Sequence, residues 1–441
     1  MKIAVVGAGV AGLGAAWALS RRHDVTLFEQ ETRAGGHANT QQIEISGKPV
    51  AVDTGFIVYN TLNYPHLTRL FEALDVPSNE SDMSFSVSLD GGRWEIAGRP
   101  LGLFGTRSQI ASLAHWRLLA NVARFFRHAE SALNDPMTCD ETLGSWLGRH
   151  GYDAAFVQRF LAPMAGAIWS SSLDGIIGYP VRSFVVFFRN HQLLKFSGRV
   201  RWRTVSGGSS SYVSRILDDF RGNLQLGRPV IGLRADGARP LLELAGGDIT
   251  AFDAVVLASH GDQSARLLLD DHDEERTAIL QSFRYQSNEV WLHRDCSLMP
   301  RRRRLWSSWN YIGGTDGIGD HAIAVSYWMN RLQRLDTDQD LFVTLNPPRA
   351  PREDLVHARL FYDHPQFDLA TLRAKDAMHR IQGRGGVWFC GSYTGFGFHE
   401  DGLRSGLDVA AALGAPAPWW RDGGLTEVTP TRPGEPEVLA A

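Results

Sequence analysis

Cysteine is scarce in this sequence. Cys139, Cys296 and Cys390 are the only three in 441 residues and stand far apart, which excludes a disulfide framework and a cysteine metal cage. No H-E-x-x-H, paired histidine ligands or C-x-x-C occur, so metal-dependent hydrolysis has no support. A G-x-S-x-G elbow between strand and helix is also missing, which removes the serine hydrolases. No apolar run reaches the roughly 18 residues that a bilayer span needs. The N-terminal apolar stretch is broken by glycines and lacks a basic flank, so it does not read as a signal peptide, and the chain reads as cytoplasmic. Repeats of solenoid type are absent. The formal net charge of −3 argues against a general nucleic-acid binder. What is present is ordinary for a globular protein, with 44% hydrophobic and 21% charged residues and length for more than one core.

The first thirty-six residues organise the rest. Lys2 to Val6 is a short apolar run, Gly7, Gly9 and Gly12 form a G-x-G-x-x-G turn, and Ala11 to Leu19 continues at helical spacing. A second apolar run, Val25 to Phe28, ends on Glu29. The order of strand, glycine turn, helix, strand and acid is that of a dinucleotide site. Gly7 permits the turn, Gly9 lets a pyrophosphate approach the backbone, and Gly12 lets helix and strand pack closely. The helix N-terminus, at Val10 and Ala11, offers unpaired N–H groups and partial positive charge to phosphate. Glu29, followed by Gln30, would accept from ribose hydroxyls.

Glu29, Arg33, Gly35 and Gly36 then read as E-x-x-x-R-x-G-G, and here the chain resembles the flavin-containing amine oxidase superfamily. The resemblance implies FAD as cofactor, with Arg33 on a phosphate and Gly35 and Gly36 near the flavin. The family's usual next residue is arginine; this chain has His37. The fold class implied is α/β: a Rossmann-like FAD-binding domain with an inserted α+β substrate domain. Asp53 to Asn60 resembles the loop that returns to the flavin ring, placing Gly55, Phe56 and Ile57 there. The resemblance also assigns Val230, which touches adenine through its backbone, and Ala258 after a buried strand. It places Gly391 and Ser392 near the diphosphate, and Asp401, Gly402 and Leu403 below the flavin. Cys390 reads as a core thiol rather than a flavin tether.

Periodicity organises the remainder. Gln42 to Val52 reads as a hairpin turning at Gly47, and Ser84 to Ile96 as another around Asp90-Gly91-Gly92. Arg107 to Leu133 is the longest helical pattern, with Ile110, Leu113, Leu119, Val122 and Phe126 as candidate core. Arg117, Arg124 and Arg127 lie among aromatics there, so the helix reads as a core helix with a basic face or as one resting on a membrane surface. Residues 140 to 196 are helical and rich in Phe and Trp, which suggests an apolar cavity. From Gln286 the alternation fits an antiparallel sheet. Arg301 to Arg304 reads as a solvated turn that could meet lipid phosphates. The expected domains are 1–60, 200–270 and 380–414 for FAD, 61–199 and 271–379 for substrate, and a flexible tail at 415–441.

Runs such as AFVQRFLAPMAGAIWSSS and FCGSYTGFGFHEDGLRSGLDVAAAL resemble one bacterial subfamily of these flavoproteins. They are also similar to the N-terminal half of plant cyclopropane fatty acid synthases. The resemblance implies a partner methyltransferase of cyclopropane-synthase type. It also implies a peripheral substrate at the inner face of the cytoplasmic membrane: a methyl-branched monounsaturated phospholipid chain, desaturated as in furan fatty acid synthesis. Flavin redox chemistry needs a hydride acceptor, a base and a dry pocket. Candidate bases are His399 with Glu400, then Tyr393, and Glu289, His293 or Tyr327 on the substrate sheet. The alternatives are an amine oxidase, a carotenoid-type desaturase and a flavin-stabilised accessory protein that delivers lipid to the methyltransferase. Many amine oxidases hold a water on a lysine near the flavin. Here the lysines are only Lys2, Lys48, Lys195 and Lys375, and Lys195 alone lies in a plausible region.

Overall fold

A parallel five-stranded sheet carries the glycine turn. Its order is Val387–Phe389, Ala254–Leu257, Lys2–Val6, Asp24–Phe28, Asn223–Gln225, with every neighbouring pair parallel. The computed structural model describes residues 1–195, 200–235, 239–268, 273–314 and 324–420. Lys2–Val6 lies at the centre of the sheet, which is why Ile3, Ala4 and Val5 have no exposed surface. Strands covered on both faces read as continuous apolar runs, and this one does.

The helix Val10–Leu19 follows the turn and is buried almost all round. Two elements enclose it: the sheet and a closing helix, His399–Ala412. Their contact depends on small residues. A Cβ on Gly406 would stand 2.1 Å from the Ala11 carbonyl oxygen, and one on Gly12 would stand 1.8 Å from the Gly7 carbonyl oxygen. Close packing of these backbones fixes the turn Gly391–Phe398 over the N-terminus of the first helix.

The second sheet has seven strands in the order Val356–Gln366, Arg284–His293, Phe342–Leu345, Ala324–Trp328, Trp309–Gly313, Phe85–Leu89, Trp94–Ala97. It is antiparallel except where Trp309–Gly313 runs parallel to Phe85–Leu89. Helices between Leu113 and Asn190 pack on it and form the largest core, rich in Phe and Trp. A buried carboxylate at the end of strand Lys48–Asp53 ties three distant segments together. Asp53 accepts from the Thr40 hydroxyl (2.6 Å), the Ser209 N–H (2.8 Å) and the Gln333 side-chain amide (3.1 Å).

Two expectations need correction. The pattern over 107–133 is two helices, Arg107–Ile110 and Leu113–His128, followed by a 3-10 turn. The break resets the helical phase, so Leu118, Phe125 and Phe126 go inward while Ile110 and Leu113 stand in solvent. Residues 415–420 are packed: Ala415 and Ala417 are buried, and Trp419 stacks on Trp17 at 5.6 Å. The rest of the expected tail, 421–441, lies outside the described residues. The arginine run at 301–304 is a turn with Arg301, Arg303 and Arg304 exposed and Arg302 half-buried, as its solvated reading expects. Arg302 pairs with buried Glu95 at 2.7 Å, Arg303 with Asp340 at 2.8 Å, and Arg304 donates to the Gly105 carbonyl at 2.6 Å.

Candidate functional site

One cavity of about 820 Å³ runs from the glycine turn to the aromatic core of the second sheet. Gly7, Gly9, Val10 and Ala11 form its near wall at the helix N-terminus, with Glu29 and Gln30 beside them. Nothing lies within 4 Å of a Cβ built on Gly9, so the backbone there is open to the cavity. Glu29 accepts from the Ala8 N–H at 2.7 Å and the Glu31 N–H at 3.0 Å, which aims its carboxylate along the edge of the cavity. Val230, Ala258, Gly36, His37, Gly55, Phe56, Ile57, Gly391, Ser392 and Gly402 complete the wall among the residues assigned from sequence.

Five assigned residues stand behind it. Gly12 and Leu403 pack helix on strand and helix on helix, Leu403 lying over Gly14. Gly35 donates its N–H to the Ala8 carbonyl at 2.8 Å, and Arg33 donates to the Gly36 carbonyl at 3.0 Å, so both shape the glycine pair. Asp401 accepts from the N–H groups of Phe396 and Phe398, each at 3.0 Å, and so holds the turn Gly391–Phe398 in shape.

Sequence reading missed several groups at this end. Ser259, His260 and Gln263 follow strand Ala254–Leu257, and His260 stacks on Tyr285 at 4.1 Å. Residues beyond the carboxyl end of a parallel strand face the ligand in open α/β sheets, so this turn carried a usable signal. His364 sits 5.5 Å from His37, and Tyr362 sits 4.9 Å from it. Burial, reinforced by His364, holds the His37 imidazole well below its ordinary pKa. A neutral imidazole therefore occupies the place where the resemblance expects an arginine charge. The cavity fits FAD: an open backbone at a helix N-terminus, a ribose-accepting acid and a long slot leading away from both.

The candidate bases separate. His399 lines the cavity, stacked on Phe56 at 3.9 Å, and its Nε2 shares a 2.5 Å hydrogen bond with the Tyr212 hydroxyl. Burial lowers its pKa to about 3. Glu400 is not in the cavity wall. Its carboxylate accepts from the His66 N–H at 2.8 Å and the Leu67 N–H at 3.0 Å, capping the helix Pro65–Ala73. Adjacent helical positions point about 100° apart, which is why His399 faces the cavity and Glu400 does not. Tyr393 and Tyr327 line the cavity, and the Tyr393 hydroxyl is buried without a partner among the described residues. His293 is saturated away from the cavity, accepting from the Asp295 N–H and bonded to the Thr344 hydroxyl, while Glu289 pairs with Arg359 on the outer side. Cys390 is buried outside the cavity wall, its thiol pushed up to about 12 by desolvation.

The far end is aromatic and uncharged. Tyr64, Phe85, Trp169, Phe187, Trp202, Trp309, Tyr327, Phe367, Phe396 and Phe398 supply most of it, with Met83 and Met164. The charged residues of the cavity wall are Glu29, Glu31, Arg228, Arg266 and Asp363, all at the nucleotide end. None of the four lysines lines the cavity; Lys375 donates to the Gly395 carbonyl behind the turn, and Lys195 is exposed. His191 is the group that sequence reading passed over. Its Nδ1 lies 3.0 Å from the Phe187 carbonyl, which can only accept, so Nδ1 carries the proton and Nε2 keeps a free lone pair.

The parallel sheet, glycine turn and closing helix define a dinucleotide-binding flavoprotein. The chain belongs to the flavin containing amine oxidoreductase family, whose model matches residues 10–331, and its cofactor is FAD. No curated protein sequence matches it. Among solved structures it is similar to a redesigned putrescine oxidase, with 16% identity, a TM-score of 0.69, and coverage of 94% of this chain and 98% of that one. Cyclohexylamine oxidase from Brevibacterium oxydans gives 16% identity and a TM-score of 0.67, covering 93% and 98%. A CLA-producing fatty acid isomerase from P. acnes gives 13% identity and 0.67, covering 93% and 98%. At these identities the likeness is one of fold.

Proposed function

We propose that this oxidoreductase desaturates a methyl-branched, monounsaturated phospholipid acyl chain. The observation that carries the reading is the uncharged aromatic end of the cavity. An amine oxidase would bind a neutral amine between aromatic side chains, and many hold a water on a lysine at the flavin, but no lysine lines this cavity. An acyl chain needs only a long apolar wall. The fold accommodates such substrates elsewhere, since one similar structure is a fatty acid isomerase by name. A preceding methyl transfer would set the branch, which makes a cyclopropane-synthase-like methyltransferase the partner that supplies the substrate.

Gly9, Glu29, Val230, Gly391 and Gly402 would hold FAD, and bound FAD supplies the two-electron oxidant. The chain's own residues orient the lipid, exclude water and take a proton. Trp169, Phe187 and Phe398 press on the acyl chain and keep the slot dry. His191 Nε2 is the proton acceptor we favour. Burial lowers its pKa to about 4, so it stands ready unprotonated at neutral pH. A weak base suffices for a proton beside an electron-deficient carbon. His399, engaged by Tyr212 and stacked on Phe56, positions the central wall. Mass spectrometry of whole-cell lipids tests the reading: cells lacking the gene accumulate methyl-branched monoenoic chains, and an unchanged profile contradicts it.

A further inference from the structure

The second unit presents an apolar face that nothing among the described residues covers. Leu101, Ile110, Leu113 and Trp116 are 88%, 55%, 75% and 49% exposed. Large apolar side chains gathered in one stretch of surface mark an interaction site more often than scattered single ones do. Their surroundings are basic. Residues 96–129 contain five arginines, Arg99, Arg107, Arg117, Arg124 and Arg127, and no aspartate or glutamate, in a chain of net charge −3.

The arginines stand where such a face would use them. Leu113, Arg117, Arg124 and Arg127 are exposed on one side of helix Leu113–His128 at helical spacing, opposite buried Leu118 and Phe125. Arg107 and Arg117 are exposed and make no hydrogen bond or ion pair among the described residues. Arg304 joins them from the other side, donating to the Gly105 carbonyl while its own carbonyl accepts from Arg99. Glu95, the nearest acid before the stretch, is buried against Arg302 and adds no exposed negative charge.

The face adjoins the aromatic end of the cavity. Phe85 lines the cavity, and its carbonyl accepts from the Gly98 N–H at 2.9 Å. Leu101 follows three residues later, at most about 11 Å along the chain.

We propose that this face docks on an anionic phospholipid bilayer. Leu101, Ile110, Leu113 and Trp116 enter the headgroup region, while Arg99, Arg107 and Arg117 meet lipid phosphates. An apolar strip flanked by arginine on a helix lying in the interface is the expected geometry. Lipid charge is the matching partner because each arginine near an anionic leaflet contributes about 1 kcal/mol, roughly fivefold in affinity. The surface rests on its own exposure and charge, whereas its service to the cavity rests on the acyl-chain reading.

The test is co-sedimentation of the full-length FAD-loaded protein with vesicles of phosphatidylcholine alone or mixed with phosphatidylglycerol. The wild type is expected to bind the mixed vesicles and release them at high salt. Arg107→Gln with Arg117→Gln should weaken binding about 25-fold. Leu101→Ser with Leu113→Ser should abolish it, with flavin content and melting temperature unchanged because all four positions are exposed. No binding of the wild type to mixed vesicles overturns the proposal, as does equal binding by the variants. A wild-type dimer that the leucine variant converts to monomer, with vesicle binding intact, also overturns it and makes the face a contact between copies. Flavin reduction by detergent-dispersed methyl-branched lipid is read alongside. Vesicle binding without such reduction upholds the surface and sinks the acyl-chain reading; reduction without vesicle binding does the reverse.

Discussion

Gly406 lies against Ala11 so closely that a Cβ there would stand 2.1 Å from the Ala11 carbonyl oxygen. The obstacle is backbone, which cannot swing aside as a side chain would. Gly406→Ala should therefore part the closing helix from the first helix and cost about 1–3 kcal/mol by overpacking. Flavin content and urea midpoint measure it, and both should fall.

Gly9→Trp makes the opposite kind of change. Its Cβ meets open space, so the fold should survive while the indole fills the nucleotide end. Flavin absorbance after purification should vanish with the melting profile of the cofactor-free protein unchanged. Retained flavin would contradict the assignment of this turn to FAD.

His191→Gln and Glu400→Gln separate catalysis from support. A general base contributes about 100-fold or more, so His191→Gln should slow flavin reduction by at least that factor with flavin still bound. Glu400→Gln weakens a helix cap, costing about 1 kcal/mol of stability and leaving the rate within about twofold. Burial raises Glu400 to about 7, so its contribution is larger at pH 5 than at pH 8 and the Gln variant should lack that trend. Equal rate losses in both variants would dismiss the distinction.

Acidification should destabilise the protein. Burial holds His66, His191, His293 and His364 near 4 and His399 near 3. Below the ordinary histidine value of about 6.5 the unfolded chain binds more protons at these five positions, so their contribution is lost as pH falls toward 4. Asp53 and Glu400, raised to about 6 and about 7, work in the other direction and are outnumbered. The urea midpoint at pH 5 should lie below that at pH 7.

How much of this was legible in sequence varies by element. The glycine turn, Glu29 and the closing Gly-Ser turn were legible because their chemistry is local: each needs particular residues at fixed spacing. The helix over 107–133 was not, because a two-residue break at Ala111 and Ser112 shifts the phase and turns Ile110 and Leu113 outward. Glu400 follows His399 directly, yet it serves a helix more than three hundred residues earlier in the chain. His191 carries no motif at all; its ring is placed by stacking on Phe187 at 3.9 Å, a contact that spacing suggests only weakly.

The uncharged aromatic end of the cavity is best tested by anaerobic mixing of the purified flavoprotein with two substrates in turn. One is a detergent-dispersed phospholipid carrying a methyl-branched monoenoic chain, the other putrescine. Loss of flavin absorbance with the lipid, and none with the diamine, is the result expected here. Bleaching by putrescine and not by the lipid would contradict it.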